Sequence, residues 1–366
     1  MKAFALALAL PALALSAPSS TLPHVIENAR LLSVSSAGQQ AYLQSCKPAD
    51  ALCAEWSAAD ALFHSSQTER EVPAGHWAAA LADRQKFCDV PVFYPFGGPD
   101  VIFPRRLFPS CQVFVLAGLE PVGGAELFGD LHQYANAAFV RAARRSLASL
   151  LARGYFVTRY LERDLRADRA GGVLPLMLMQ LVRGGAVVRD ILIPELGING
   201  QFRMLAFSKE STNISAICIL FNEAGQPKVV KKICYFRQDL SDGHFAGSDI
   251  ERLFRGGRKI RVFLKSASYL LHGSGFSELA KLLLGKSEEI IQDDSGLPVS
   301  ALAAEKWSLH AYGRYGPLLA EFREFYQPAL ATLAQQSLPL PFHIGYQGSM
   351  FLHLVRKTAV KQKHLQ

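Results

Sequence analysis

Four short stretches hold the residues whose types and spacing could do chemistry. The first is "FYPFGGPD" (93–100), which sets Tyr94, Gly97, Gly98 and Asp100 directly after an apolar run. Glycines in such a turn let the backbone approach a ligand. An aspartate there can also accept hydrogen bonds from the free N–H groups of a following helix. Further on, "LAGLEP" ends a second apolar run with Glu120, where a carboxylate can accept hydrogen bonds from ribose-type hydroxyls. The second stretch, "KSASYLLHGSG" (265–275), puts Lys265 beside Ser266. The lysine could hold an anion, and a neutral amine could activate the hydroxyl. No GxSxG, SxxK or YxxxK spacing accompanies it.

The third stretch, "QDDSGLP" (292–298), carries Asp293 and Asp294, which could bind a cation or act as acid and base. Neighbouring strand residues point to opposite faces, so the two acids share a site only if the chain has already turned. The fourth, "PFHIGYQG" (341–348), holds His343 and Gln347 among glycines. No HExxH, no paired histidines and no EF-hand loop occur, so no dedicated metal site is expected. Each stretch also has a plain structural reading. These are a tight turn with a capping Asp100, a helix capped by Ser266 or Ser268, an Asx turn at Asp294, and a backbone-satisfied histidine.

These residues need elements to hold them. Compact apolar runs predict strands over 90–96, 111–119, 186–194, 260–264, 289–292, 307–312 and 349–356. The runs 212–221 and 228–237 flank "NEAGQP" and read as a hairpin. Helical spacing predicts helices over 50–65, 75–88, 136–153, 156–168, 172–182, 248–254, 276–284 and 318–335. The stretch after Lys265 reads as running into a further helix. Strands alternating with helices favour an α/β class. The expected architecture is Rossmann-like: a mostly parallel sheet with helices on both faces, added antiparallel strands and an N-terminal helical extension.

The chain has 366 residues, half of them hydrophobic, which is enough for a real core. The formal charge of +8 is scattered among acids and apolar residues, as on solvated faces. That leaves contact with an anionic surface open. No RNP motif, zinc-finger spacing or long basic arm points to a specific nucleic-acid partner. Residues 1–16 carry a lysine, an apolar core and small residues at the cleavage positions, a signal-peptide pattern. A spanning helix needs about 20 apolar residues, and neither this stretch nor "GGVLPLMLMQLV" (171–182) is that long. Export would put the six cysteines in an oxidising compartment. Cys46 and Cys53 are close enough in sequence to bridge, and Cys218 and Cys234 fall on the two arms of the hairpin. The expected organisation is a signal peptide (1–16), a helical extension (17–89), an α/β core (90–356) and a basic tail (357–366).

The glycine turn followed by Glu120 resembles the S-adenosylmethionine-dependent methyltransferase fold. The sequence departs from that pattern in having Tyr94-Pro95-Phe96 where an acid and a GxG core are usual, and in Pro121 directly after the acid. The resemblance implies a nucleoside-like pocket beyond the strand ends. An exported protein normally meets no S-adenosylmethionine, so no cofactor is expected. Taken together, "YPFGGPD", "LAGLEPVG", "LKSASYLLH", "QDDSGLP" and "GYQ" make residues 90–356 similar to a family of uncharacterised exported bacterial proteins. That likeness implies bacterial export and a common α/β core. Two functions fit. One is an exported α/β protein whose strand-end pocket takes a small polar or nucleoside-like ligand, with Glu120 holding hydroxyls, Lys265 an anion and an aspartate as base. The other is a non-catalytic envelope or interaction protein.

Overall fold

The computed structural model describes residues 50–356, apart from 82–87, 124–136, 157–159, 162, 164–170, 198–201, 208–210, 212, 256, 303–305 and 347–349. The expected signal peptide, the basic tail, Cys46 and most of the 156–168 helix lie outside the described residues.

The chain first builds helices. In α1 (Ala51–Ser66) the Asp50 side chain accepts from Leu52 N–H at 2.9 Å and so caps the first turn. A π-helical turn (Gln67–Glu71) leads straight into α2 (Val72–Ala80). The two N-terminal helices expected from the sequence are therefore joined. Trp56 and Trp77 bury themselves against the core.

Strand β1 (Val92–Tyr94) is only three residues long and wholly buried. Pro91 and Pro95 flank it, and neither can donate a ladder hydrogen bond. Next come α3 (Ile102–Leu107), β2 (Val113–Gly118), α4 (Ala137–Arg153) and α5 (Leu174–Arg183). The strands β3 (Val187–Leu196), β4 (Phe202–Ala206), β5 (Ala216–Asn222) and β6 (Val230–Arg237) follow. Short helices α6 (Asp242–Phe245) and α7 (Asp249–Phe254) precede β7 (Ile260–Leu264), α8 (Ser277–Lys286) and β8 (Ser287–Gln292). The last elements are β9 (Trp307–Gly313), α9 (Pro328–Ala334) and β10 (Met350–Arg356).

All ten strands among the described residues join one sheet in the order β4-β3-β5-β6-β2-β1-β7-β8-β10-β9. This corrects the expected mostly parallel, Rossmann-like sheet. Only the middle strands, β6 through β8, run parallel. Every pairing outside them is antiparallel, so the sheet is mixed. The cause lies in the connections. The turn between β5 and β6, with Gly225 at φ 78°, is too tight for a crossover and forces antiparallel pairing. Strand β4 adds a further antiparallel edge at residues where no strand was expected.

Alternation along the strands feeds two cores. Tyr94, Phe114 and Leu116 face the core covered by α1 to α5, whereas Phe93, Val115 and Ala117 face the core covered by α6 to α9. The long helix expected over 318–335 is broken. A 3-10 turn (Ala320–Phe325) and α9 replace it, because Pro328 drives Gln327 out of the helical region to φ −110°, ψ 100°. The helix expected after Lys265 is likewise replaced by two 3-10 turns, Leu270–His272 and Ser274–Phe276, ahead of α8. No helix among the described residues is long and apolar enough to cross a membrane.

Candidate functional site

A cavity of about 430 Å³ opens beyond the carboxyl ends of the central parallel strands. Six sequence-derived candidates line it: Tyr94, Gly97, Gly98, Glu120, Lys265 and Ser266. Asp100, Asp293 and Asp294 do not line it and stand behind its wall.

The glycine corner is shaped by two tyrosines. A Cβ on Gly97 would fall 2.5 Å from the Tyr94 ring, which is fully buried beneath it. A Cβ on Gly118 would lie 2.5 Å from Glu120 Oε2 and 3.0 Å from Gly98 Cα. These glycines are thus demanded by close packing. Gly98, at φ 53°, runs past the Glu120 carboxylate. The Tyr235 hydroxyl, arriving from β6, lies 2.8 Å from Glu120 O and 3.1 Å from Glu120 Oε2. Burial first, and then the Glu120 charge, push the Tyr235 phenol well above its ordinary range, so it stays a proton donor to the acid.

Lys265 does not hold a free anion-binding ammonium. Its Nζ sits 2.8 Å from Asp100 Oδ2 and also donates to Gly154 O. It rests over the Phe103 ring, 4.6 Å from the centroid. Burial lowers the lysine pKa, against the opposing pull of Asp100 and Asp293. Asp100 in turn accepts from the Tyr94 hydroxyl at 3.1 Å and from Phe103 N–H at 3.3 Å. It therefore serves the helix start, as a capping aspartate would, and also neutralises the lysine.

The two adjacent aspartates part ways. Asp293 accepts from Ser266 N–H at 2.7 Å, from Ser295 N–H at 3.0 Å and from the Ser295 hydroxyl at 2.5 Å. Asp294 accepts from the Tyr269 hydroxyl at 2.5 Å. Burial first, then the neighbouring Asp294, raise Asp293 to about 7. Both acids organise loops. Ser295 Oγ also accepts from Ala267 N–H at 2.7 Å, which ties the turn after β7 to the turn after β8. That first turn is strained, with Ser266, Ser268 and Tyr269 all at φ between 50° and 54°. Gly345, at φ 88°, completes the packing; a Cβ there would fall 2.6 Å from Asp293 Oδ2.

Sequence reasoning missed several lining groups. Gln238 and Asp239 follow β6, and Phe276, Phe322 and Tyr346 come from later turns. Gly118 and Glu120 sit in one visible motif, but nothing in "VKKICYFR" signals that Tyr235 reaches Glu120. His343 is exposed and outside the lining, and Gln347 lies outside the described residues. Among the described residues no group of three His, Cys, Asp or Glu side chains could hold a metal ion.

Two disulfides brace the sheet below the cavity. Cys88–Cys111 joins the segments that lead into β1 and β2, and Cys218–Cys234 links directly opposed residues of β5 and β6. No known family, no curated protein and no solved structure matches this chain.

Proposed function

We propose that this is an exported protein that binds a small polyhydroxylated, nucleoside-like ligand in the strand-end cavity. The observation that carries the reading is Glu120. Its carboxylate, two residues past the end of β2, packs against Gly98 and Gly118 in a cavity walled by aromatic rings. A carboxylate so placed accepts hydrogen bonds from vicinal hydroxyls, and the rings offer apolar faces to a planar base. The two disulfides support an oxidising compartment, and hence export.

The reading is one of binding. Among the described residues the lining contains no histidine or cysteine, and its one lysine is committed to Asp100. A thermal-shift series with adenosine, uridine and simple sugars tests it, run on the wild-type protein and on Glu120→Gln. Adenosine should raise the melting temperature, and the variant should lose roughly tenfold in affinity, as expected for a charge-assisted hydrogen bond. Absence of any shift with every compound would sink the proposal.

A further inference from the structure

Part of the cavity wall is a cluster of aromatic rings. Tyr155, Phe322 and Tyr346 line it together. The Tyr155 and Tyr346 rings meet at 69° with centroids 5.0 Å apart, and Phe322 lies 5.1 Å from Tyr346. Two rings at a steep angle give a corner with a π-face on each wall. The corner is held in place, because the Tyr346 hydroxyl lies 3.1 Å from both Ser266 O and Ser268 Oγ. Burial pushes the Tyr346 phenol up to about 12, so the ring carries no charge in the neutral range.

Charge then decides what the corner favours. The described lining has three carboxylates, Glu120, Asp239 and Glu321, against one lysine, and Asp239 has the His244 Nδ1 at 3.1 Å. That lysine is already neutralised by Asp100 at 2.8 Å. The cavity is therefore acidic within a chain of net charge +8. A phosphate would meet the Glu120 and Glu321 carboxylates, and the one lysine of the described lining is already paired. An alkylated ammonium group would meet aromatic faces, which attract cations through the ring quadrupole, and a carboxylate field.

We infer that the Tyr155–Tyr346–Phe322 corner is a subsite for an organic cation, so that the ligand carries an alkylated ammonium group and no phosphate. The inference rests on the reading of the cavity as a ligand site and names the chemistry of its aromatic wall. Glu321, next to Phe322 in the chain and in the same lining, supplies negative charge, and the half-buried rings supply the π-faces.

The test compares choline with its neutral isostere, 3,3-dimethylbutan-1-ol, by titration calorimetry on the purified protein. Choline should bind at least tenfold more tightly than the isostere, in keeping with a cation–π contact inside a partly enclosed cavity. Phe322→Leu and Glu321→Gln should each cut that preference by roughly threefold or more. Equal binding of the two compounds, no binding of choline, or an undiminished preference in both variants would overturn the inference. Adenosine titrated into the same wild-type sample separates this result from the preceding one. Adenosine binding without a choline preference overturns the cation subsite alone. A choline preference without adenosine binding overturns the hydroxyl-binding end alone.

Discussion

Lys265 Nζ and Asp100 Oδ2 stand 2.8 Å apart with each side chain about 1% exposed. This ion pair joins the turn after β7 to the turn after β1, two loops far apart in sequence. Removing one partner leaves a buried charge without its hydrogen-bonded counterion. Lys265→Met or Asp100→Asn should each cost about 3–5 kcal/mol. The double variant Asp100→Leu with Lys265→Met should recover much of that loss. Urea unfolding midpoints measure it, and single variants as stable as wild type would show that the pair does not hold the corner.

The Asp293 carboxyl gives a pH signature. Its folded value of about 7 lies above the ordinary 3.8, chiefly through burial. Between these values the folded state binds a proton that the unfolded chain has released. Its contribution to stability is therefore fully present below about pH 4 and is lost as pH rises to about 7. Asp293→Asn should remove this slope. The stability gap between wild type and variant should shift by a few kcal/mol between pH 4.5 and 7.5. Parallel pH profiles for the two proteins would contradict the assignment.

Gly118 should accept no side chain. A Cβ would fall 2.5 Å from Glu120 Oε2, 2.9 Å from Tyr235 Oη and 3.0 Å from Gly98 Cα. Overpacking at such a point costs about 1–3 kcal/mol. Gly118→Ala should lower the melting temperature and weaken adenosine binding together, since it displaces the carboxylate. Unchanged melting and unchanged binding would mean that the corner yields freely.

The Cys218–Cys234 bridge spans a sequence separation of 16 residues across the β5–β6 hairpin. Replacing both cysteines with alanine should destabilise the protein by about 2–4 kcal/mol. Chemical denaturation checks this, and a loss below about 0.5 kcal/mol would count against the bridge as a structural brace.

Parts of this architecture are legible in the amino-acid order. "VFY" and "VFVLAG" announce buried strands, since each is short, apolar and bounded by proline or glycine. Tyr94, Gly97, Gly98 and Glu120 can be picked out by type and spacing, and they do converge on one cavity. Strand direction is not legible, because an apolar run carries no label for its partner. Hence β10 looks like any final strand, although it pairs antiparallel with both β8 and β9. The chemistry of Lys265 is equally hidden. A lysine beside a serine suggests an anion site or a base, and only the fold brings Asp100 against it. Tyr235 reads as core within its strand, and its hydroxyl finds Glu120 from 115 residues away.

The position of β10 bears on how the chain assembles. The last described strand lies inside the sheet, between β8 and β9, and the short central β1 pairs on one side with Val113–Gly118 and on the other with Ile260–Leu264. Order of synthesis is therefore not order of assembly. Both sides of the middle strand are satisfied only after residue 264 exists, and β8 and β9 keep open edges until Met350–Arg356 inserts. Such distant pairings slow folding and leave strand edges exposed in partly made chains. A product cut short before Met350 would leave β8 and β9 without the strand they share, and it should self-associate rather than fold.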